Sequence, residues 1–85
     1  MAYKIEFSKT AQKQFNLLPI RVQDKLEKSI DDLAINPRPQ GVVKLTNEDN
    51  LYRIRSGDYR VIYQIQDKIL FILVLKIGHR KEVYR

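Results

Sequence analysis

The chain has 85 residues, which allows one domain, residues 1–85, with a modest hydrophobic core. It contains no Cys and a single His, which excludes a disulfide scaffold, a thiolate nucleophile and a zinc site built from histidines. No apolar run approaches the roughly 18 residues of a membrane-spanning helix, and the N-terminus lacks a signal-peptide core, so we expect no membrane association.

The net charge is +6, and it is unevenly distributed along the chain. Residues 1–49 carry eight basic and seven acidic side chains, a net of +1, whereas residues 50–85 carry eight basic and three acidic ones, a net of +5. A concentration of positive charge of this kind favours a polyanionic partner such as nucleic acid. A general bias toward solubility would give the same net charge, so the positions of the basic residues have to decide between the two interpretations.

The first 41 residues predict a strand and two helices. Residues 3–7 alternate apolar and polar side chains, as in a half-buried strand, and Ser8 is a suitable helix N-cap. Apolar residues then recur at helical spacing, are interrupted at Pro19, and continue over residues 22–33. Asn36-Pro37 ends the second helix. The charged faces of both helices are nearly neutral, so we predict an antiparallel pair that serves as scaffold and covers one face of a sheet.

From Val42 onward the hydrophobic pattern has the period of β-strands. The predicted strands are Val42–Leu45, which is short, Leu51–Arg55, Tyr59–Gln66 and Ile69–Ile77. Gly57-Asp58 and Asp67-Lys68 are short enough for tight antiparallel turns. The fold class is therefore α+β, with an N-terminal strand, two antiparallel helices and a three- to four-stranded antiparallel meander.

A two-residue turn at Gly57-Asp58 fixes the register of the first hairpin. It pairs Ser56 with Tyr59, Arg55 with Arg60, Ile54 with Val61, Arg53 with Ile62 and Tyr52 with Tyr63. Because paired residues share a face, one face carries Tyr52, Ile54, Val61 and Tyr63 and should meet the helices, while Arg53, Arg55 and Arg60 lie on the other face. Two opposed arginines destabilise a sheet, and arginines on an open face suit phosphate, whose oxygens match the guanidinium fork.

The strand over residues 69–77 is apolar on both faces, which predicts a central position in the sheet. Its register does not follow from the pattern; turns of two or three residues place Leu75 or Lys76 opposite Tyr59. In either case His79 and Arg80 emerge near the Gly57 turn. Four arginines and one histidine are thus predicted to converge at one end of the sheet, and near the C-terminus Tyr84 is an aromatic residue able to stack on a base.

Two segments of this pattern resemble the RelE/ParE superfamily of toxins. Residues 51–63 read L-Y-R-I-R-S-G-D-Y-R-V-I-Y and residues 78–84 read G-H-R-K-E-V-Y, and the strand and two helices before them fit the same pattern. The similarity covers nearly the whole chain, and within the superfamily the sequence is closest to the RelE branch. Each motif is short, but their order and spacing together are specific.

The resemblance implies the toxin of a type II toxin–antitoxin system, located in the cytoplasm, with a RelB-like antitoxin as partner in a hetero-oligomer. RelE-like toxins enter the ribosomal A site and cut mRNA by attack of a ribose 2′-OH on the adjacent phosphate, without metal or cofactor. The family's basic residues fall on Arg53, Arg55, Arg60 and Arg80, and its C-terminal aromatic falls on Tyr84. Further RNA contacts are expected from Lys44, Lys76 and Lys81.

One departure from the family concerns the proton acceptor. The best-known RelE members carry lysines at the positions of Arg53 and Arg55, one of them proposed as general base, and arginine is a poor base because it stays protonated. Histidine is the side chain suited to proton transfer at physiological pH, and we therefore expect His79 to act as base or acid.

Two alternatives to a nuclease remain open. A ParE-like toxin would share the fold but inhibit DNA gyrase, and a plain nucleic-acid-binding module would share the basic surface. The combination of Arg55, Arg60, Arg80 and Tyr84 favours the nuclease, because the resemblance implies that the ParE branch generally lacks the full set.

Overall fold

The computed structural model describes residues 2–45 and 49–79, so the predictions made for Arg80, Lys81 and Tyr84 lie outside the described residues. Within these ranges the elements are β1 (Lys4–Phe7), α1 (Lys9–Asn16), α2 (Ile20–Asp32), β2 (Val43–Lys44), β3 (Leu51–Ser56), β4 (Tyr59–Gln66), a short 3₁₀ helix (Asp67–Ile69) and β5 (Phe71–His79). None of the described helices combines the length and the apolar character needed to cross a membrane. This arrangement of helices and strands confirms the predicted α+β class.

Both helices begin where the sequence predicts. The Ser8 hydroxyl oxygen accepts a hydrogen bond from the Ala11 amide at 3.0 Å and caps α1, while Pro19 stands at the N-cap of α2. The apolar stripe of α2 packs on the sheet, and Leu26, Ile30 and Leu33 are at most 2% exposed. Burial of this stripe holds the helices against one face of the sheet and leaves the other face without helical cover.

The sheet has the strand order β1-β5-β4-β3-β2. β1 runs parallel to β5, and the other neighbouring pairs are antiparallel, so the first strand completes a sheet built mainly from the meander. The hairpin of β3 and β4 has all five predicted residue pairs, including Arg55 opposite Arg60. β5 lies between β1 and β4, which confirms its predicted central position.

The register between β4 and β5 differs from the prediction. His79 lies opposite Tyr59, so the predicted partners Leu75 and Lys76 are wrong. The connection contains four residues, 67–70, because the chain makes a 3₁₀ turn and Leu70 adopts a left-handed conformation with φ of 51°. A bulge between Ile62 and Tyr63 shifts the pairing further toward the end of β5.

Beyond the end of β1, side chains from the start and the middle of α1 form hydrogen bonds with the backbone of β5. The Ser8 hydroxyl donates to the carbonyl of Leu75 at 3.0 Å, and the Gln14 side-chain oxygen accepts from the Ile77 amide at 2.7 Å. These bonds satisfy backbone groups that would otherwise lack a strand partner. They hold the last part of β5, which carries His79, against α1.

A polar cluster closes the opposite end of the sheet, and we call its three residues Tyr3, Arg38 and Asp67 the clasp. The Asp67 carboxylate accepts from the Arg38 guanidinium at 2.8 Å and 3.3 Å and from the Tyr3 hydroxyl at 2.6 Å. Arg38 also donates to the hydroxyl of Tyr52 at 3.2 Å. The clasp therefore ties the segment before β1 and the loop after α2 to the connection between β4 and β5.

Candidate nucleic-acid interface

Four basic residues lie on the sheet face that the helices leave open, and we call Arg53, Arg55, Arg60 and Lys76 the cationic face. Arg55 pairs with Arg60, and Arg60 pairs in turn with Gly78, so one row across β3, β4 and β5 contains two arginines and a glycine. The next row contains Arg53, Ile62 and Lys76. Neighbouring strands lie about 4.8 Å apart, so four positive charges fall within a patch roughly 10 Å across.

The cationic face combines exposed and partly buried charges. Arg55 and Lys76 are exposed, whereas Arg53 and Arg60 are half-buried. The Nε atoms of Arg53 and Arg60 and the Nη1 atom of Arg60 have almost no accessible surface, and Ile62, in the middle of the second row, is only 9% exposed. Partial burial reduces solvent screening, so the face attracts an anion more strongly than the same charges on mobile surface side chains.

The structure separates His79 from the cationic face, although it lies at the predicted end of the sheet. His79 pairs with Tyr59, and this pair is next to the pair of Arg60 and Gly78. Successive residues of a strand point to opposite faces, so His79 and Arg60 lie on different faces. Its ring meets the Tyr59 ring edge to face at 5.8 Å, and Tyr59 packs against the core. The imidazole is therefore on the helix-covered side, so His79 lies at the predicted end of the sheet but not on the face of the arginines.

Lys44 is also placed apart from the cationic face. It lies on the edge strand β2 opposite Tyr52, whose side chain belongs to the helix-covered face, and it is exposed. Its neighbour Val43 pairs with Arg53 instead. Of the basic residues predicted from the sequence and described by the structure, the cationic face thus brings together four, and Lys44 borders them at the sheet edge.

Tyr59 is a candidate residue that the sequence pattern did not single out. It lies between two clefts at the Gly57 end of the helix-covered face, one of about 440 Å³ against α2 and one of about 380 Å³ against the end of α1. Its position in an alternating strand indicates a core residue, and the clefts depend on the positions of both helices, which the pattern does not give. Its pairing with His79 also depends on the register of β5, so the sequence holds no signal that singles it out.

We also searched the described residues for a group of side chains able to bind a metal ion. Among residues 2–45 and 49–79, no three His, Asp or Glu side chains lie close enough together to hold a metal ion.

Comparison with known proteins places the chain in a family. Residues 5–84 match the family described as the ParE toxin of the type II toxin–antitoxin system parDE. The chain is 33% identical to the mRNA interferase toxin RelE of Escherichia coli over 88 residues, covering 99% of this chain and 92% of that protein. It is 29% identical to the toxin RelG of Mycobacterium tuberculosis over 86 residues, covering 100% of this chain and 99% of that protein.

Solved structures agree with these sequence matches. The toxin chain in the archaeal RelE–RelB complex from Pyrococcus horikoshii superposes with a TM-score of 0.84 at 33% identity, covering 98% of this chain and 100% of that chain. The isolated Escherichia coli RelE toxin superposes with a TM-score of 0.83 at 30% identity, covering 98% of this chain and 92% of that chain.

Proposed function

Because the chain belongs to the RelE/ParE superfamily of type II toxins, we propose that it is a RelE-like toxin that cuts mRNA on the ribosome. The observation that carries this proposal is the cationic face, which offers Arg53, Arg55, Arg60 and Lys76 to a phosphate backbone. The relatives named mRNA interferase support RNA as the substrate. The relatives solved with RelB support an antitoxin partner.

The proposed reaction is an internal phosphoryl transfer within the RNA. The ribose 2′-oxygen attacks the adjacent phosphorus, the bond from phosphorus to the 5′-oxygen breaks, and the products are a 2′,3′-cyclic phosphate and a 5′-hydroxyl. One proton leaves the 2′-OH and one is delivered to the leaving oxygen, so no water is consumed. The step concentrates negative charge on the phosphate oxygens, and fixed positive groups stabilise that charge best. In this proposal the protein supplies them without a metal ion.

The resemblance to RelE toxins suggests a role for each of these side chains. Arg60, partly buried in the middle of the sheet, and Arg80 bind the scissile phosphate, while Arg53 and Arg55 offset the charge that develops in the transition state. Lys44, Lys76 and Lys81 contact the backbone to either side, and Tyr84 stacks on a base to hold the nucleotide for in-line attack. The ribosome supplies the substrate already positioned, which suits a domain with an open face rather than a deep cleft.

His79 is the proposed proton-transfer group because arginine is a poor base. Its imidazole lies on the helix-covered side of β5, so it can act on a phosphate at the cationic face only where the RNA passes round the Gly57 end of the sheet. If His79→Ala cuts mRNA on ribosomes as fast as wild type, the proton-transfer role is wrong while the phosphate-binding role stands.

The antitoxin partner is proposed to be acidic or amphipathic. A segment of that chemistry can lie across the sheet and the helices and neutralise the cationic face, which blocks RNA by occupying the same charges. The complementary signs of the two surfaces also speed their association.

Primer extension on mRNA translated in vitro tests the proposal. We expect cuts at codon-defined positions with ribosomes present and few or none without them. Arg60→Ala should lower the cleavage rate by about 100-fold or more, in line with the loss of a fixed donor at a developing anion. Lys68→Ala, an exposed basic residue at the far end of the sheet, serves as control and should cut at the wild-type rate.

The same protein is assayed for inhibition of DNA gyrase, since the matching family is described by the name ParE. Intact mRNA together with blocked supercoiling would replace the nuclease with a gyrase inhibitor. Intact mRNA together with unaffected gyrase would rule out both toxin activities.

A further inference from the structure

The Gly57 end of the helix-covered face carries a second surface with chemistry suited to RNA, and we call it the Tyr59 groove. Its first part is the cleft of about 440 Å³ between α2 and the Gly57 turn, with Arg21 and Lys25 from α2 on one wall and Asp58 on the other. Both basic side chains are exposed. They exceed the carboxylate by one charge, so this part favours an anion.

The second part of the groove is apolar and aromatic. It is the cleft of about 380 Å³ beside the end of α1, lined by Leu17, Leu18, Tyr59 and His79. Leu17 is 85% exposed and adds apolar surface to this cleft. The rings of Tyr59 and His79, in edge-to-face contact with each other, both line the cleft, and aromatic rings are the side chains on which nucleobases stack.

The Tyr59 groove adjoins the cationic face, and this indicates RNA as its ligand. Tyr59 and Arg60 are consecutive residues of β4 on opposite faces, and His79 and Gly78 are their partners on β5. A strand of RNA whose phosphate lies at Arg60 therefore reaches Tyr59 by passing round the Gly57 end of the sheet.

We propose that the RNA continues from the cationic face round the Gly57 end of the sheet into the Tyr59 groove, where a base meets Tyr59 and His79 and a phosphate meets Arg21 and Lys25. This inference rests on the proposed function and deepens it by naming a second set of RNA contacts. It also gives His79 a place beside the substrate although the imidazole is on the far side from the arginines.

The test measures the salt dependence of binding to ribosomes carrying an mRNA with a 2′-deoxynucleotide at the cut site, which prevents cleavage. Each phosphate contact removed lowers the slope of log affinity against log salt by about 0.7 for single-stranded RNA. The variant with Arg21→Ala and Lys25→Ala loses its contact with that one phosphate, so its slope should fall by about 0.7. The control with Lys9→Ala and Lys68→Ala has the same net charge, and both of its sites are exposed and lie outside the groove; it should keep the wild-type slope.

Tyr59→Leu tests the base contact, because leucine keeps apolar packing against the core but removes the ring. We expect affinity for the same ribosomes to fall by about tenfold with an unchanged salt slope, within the range measured for one stacked base. Circular dichroism confirms that each variant is folded before binding is compared.

The outcomes separate this inference from the proposed function. If wild type neither binds nor cuts on ribosomes, the proposed function fails. If wild type cuts and Arg60→Ala does not, but the variant with both α2 substitutions behaves like its control, only the Tyr59 groove is overturned. An unchanged affinity for folded Tyr59→Leu would also overturn the base contact.

Discussion

Arg55 and Arg60 face each other across the hairpin, and this single pair links stability to activity. Directly opposed like charges destabilise an antiparallel sheet by a few tenths to about 1 kcal/mol. Among the residues that the structure describes, no carboxylate forms an ion pair with Arg55, which is exposed. The repulsion within the pair costs folding free energy, and the proposed binding of phosphate would account for its presence.

Arg55→Gln should therefore raise stability and lower activity together. We expect the free energy of unfolding to increase by about 0.2–1 kcal/mol, because the repulsion with Arg60 is removed. The cleavage rate on ribosomes should fall by at least about tenfold, since one charge that offsets the transition state is lost. Urea denaturation and primer extension measure the two effects.

Lys68→Gln is the matched control for that experiment. It removes one positive charge at the far end of the sheet, so it tests whether lower net charge alone stabilises the fold. Equal stabilisation by both variants would show that the effect comes from net charge and not from the opposed arginines.

At the scale of elements, the clasp joins three parts of the chain that are distant in sequence. The Arg38 guanidinium, and then the Tyr3 hydroxyl, hold the pKa of the Asp67 carboxyl below its ordinary value through hydrogen bonds to the ionised form. A carboxyl whose pKa is lowered by folding contributes stability above its unfolded value, near 3.9, and loses that contribution as pH falls through the folded value. The clasp should therefore loosen only in acid.

Asp67→Asn should reduce the urea midpoint at neutral pH, because the amide cannot form the charged bonds to Arg38. The difference from wild type should stay constant from pH 7 to about pH 5 and shrink below about pH 4, where the wild-type carboxyl becomes protonated. Asp24→Asn, which removes an exposed carboxylate of α2 outside the clasp, is the control. A wild-type advantage that is as large at pH 3 as at pH 7 would contradict this account.

The elements also show why one hairpin was predictable and the next was not. Between β3 and β4, the alternation of β3 and a glycine with positive φ in a two-residue turn fix every pair. Between β4 and β5, the left-handed residue is Leu70, which gives no turn signal, and the apolar residues on both faces of β5 are compatible with several registers. The face of His79 depends on that register, so the pattern could place it at the correct end of the sheet but not on a face.

For the whole molecule, the position of the positive charge is more informative than its total. Of the five basic residues between positions 50 and 79, four lie on one sheet face, opposite the side on which the helices bury the core. A solubility bias would spread charge over all exposed surfaces. The separation of a binding face from a packing face also explains how a short chain can hold both a core and a site.

The hydrophobic core on the helix-covered face gives the domain a small free energy of unfolding. The folded chain exposes 5994 Å², against about 14,600 Å² expected for an unfolded chain of this length, so roughly 60% of the surface is buried. That fraction is typical of domains smaller than this one and implies a stability toward the low end of about 5–15 kcal/mol. A partner that binds only the folded toxin would raise the free energy of unfolding by about 2.7 kcal/mol at a concentration 100 times its dissociation constant.

Leu26→Ala tests this dependence, because Leu26 is fully buried where α2 meets the sheet. Truncation of a buried leucine costs about 2–5 kcal/mol, which should unfold a large share of the isolated toxin at 37 °C. Co-expression with the antitoxin should restore a folded complex, since binding offsets a loss of that size. Ile35→Ala, at a side chain that is 77% exposed, should leave the melting temperature of the isolated toxin nearly unchanged. A Leu26→Ala toxin that melts like wild type without its partner would show that the core holds more stability than its buried area indicates.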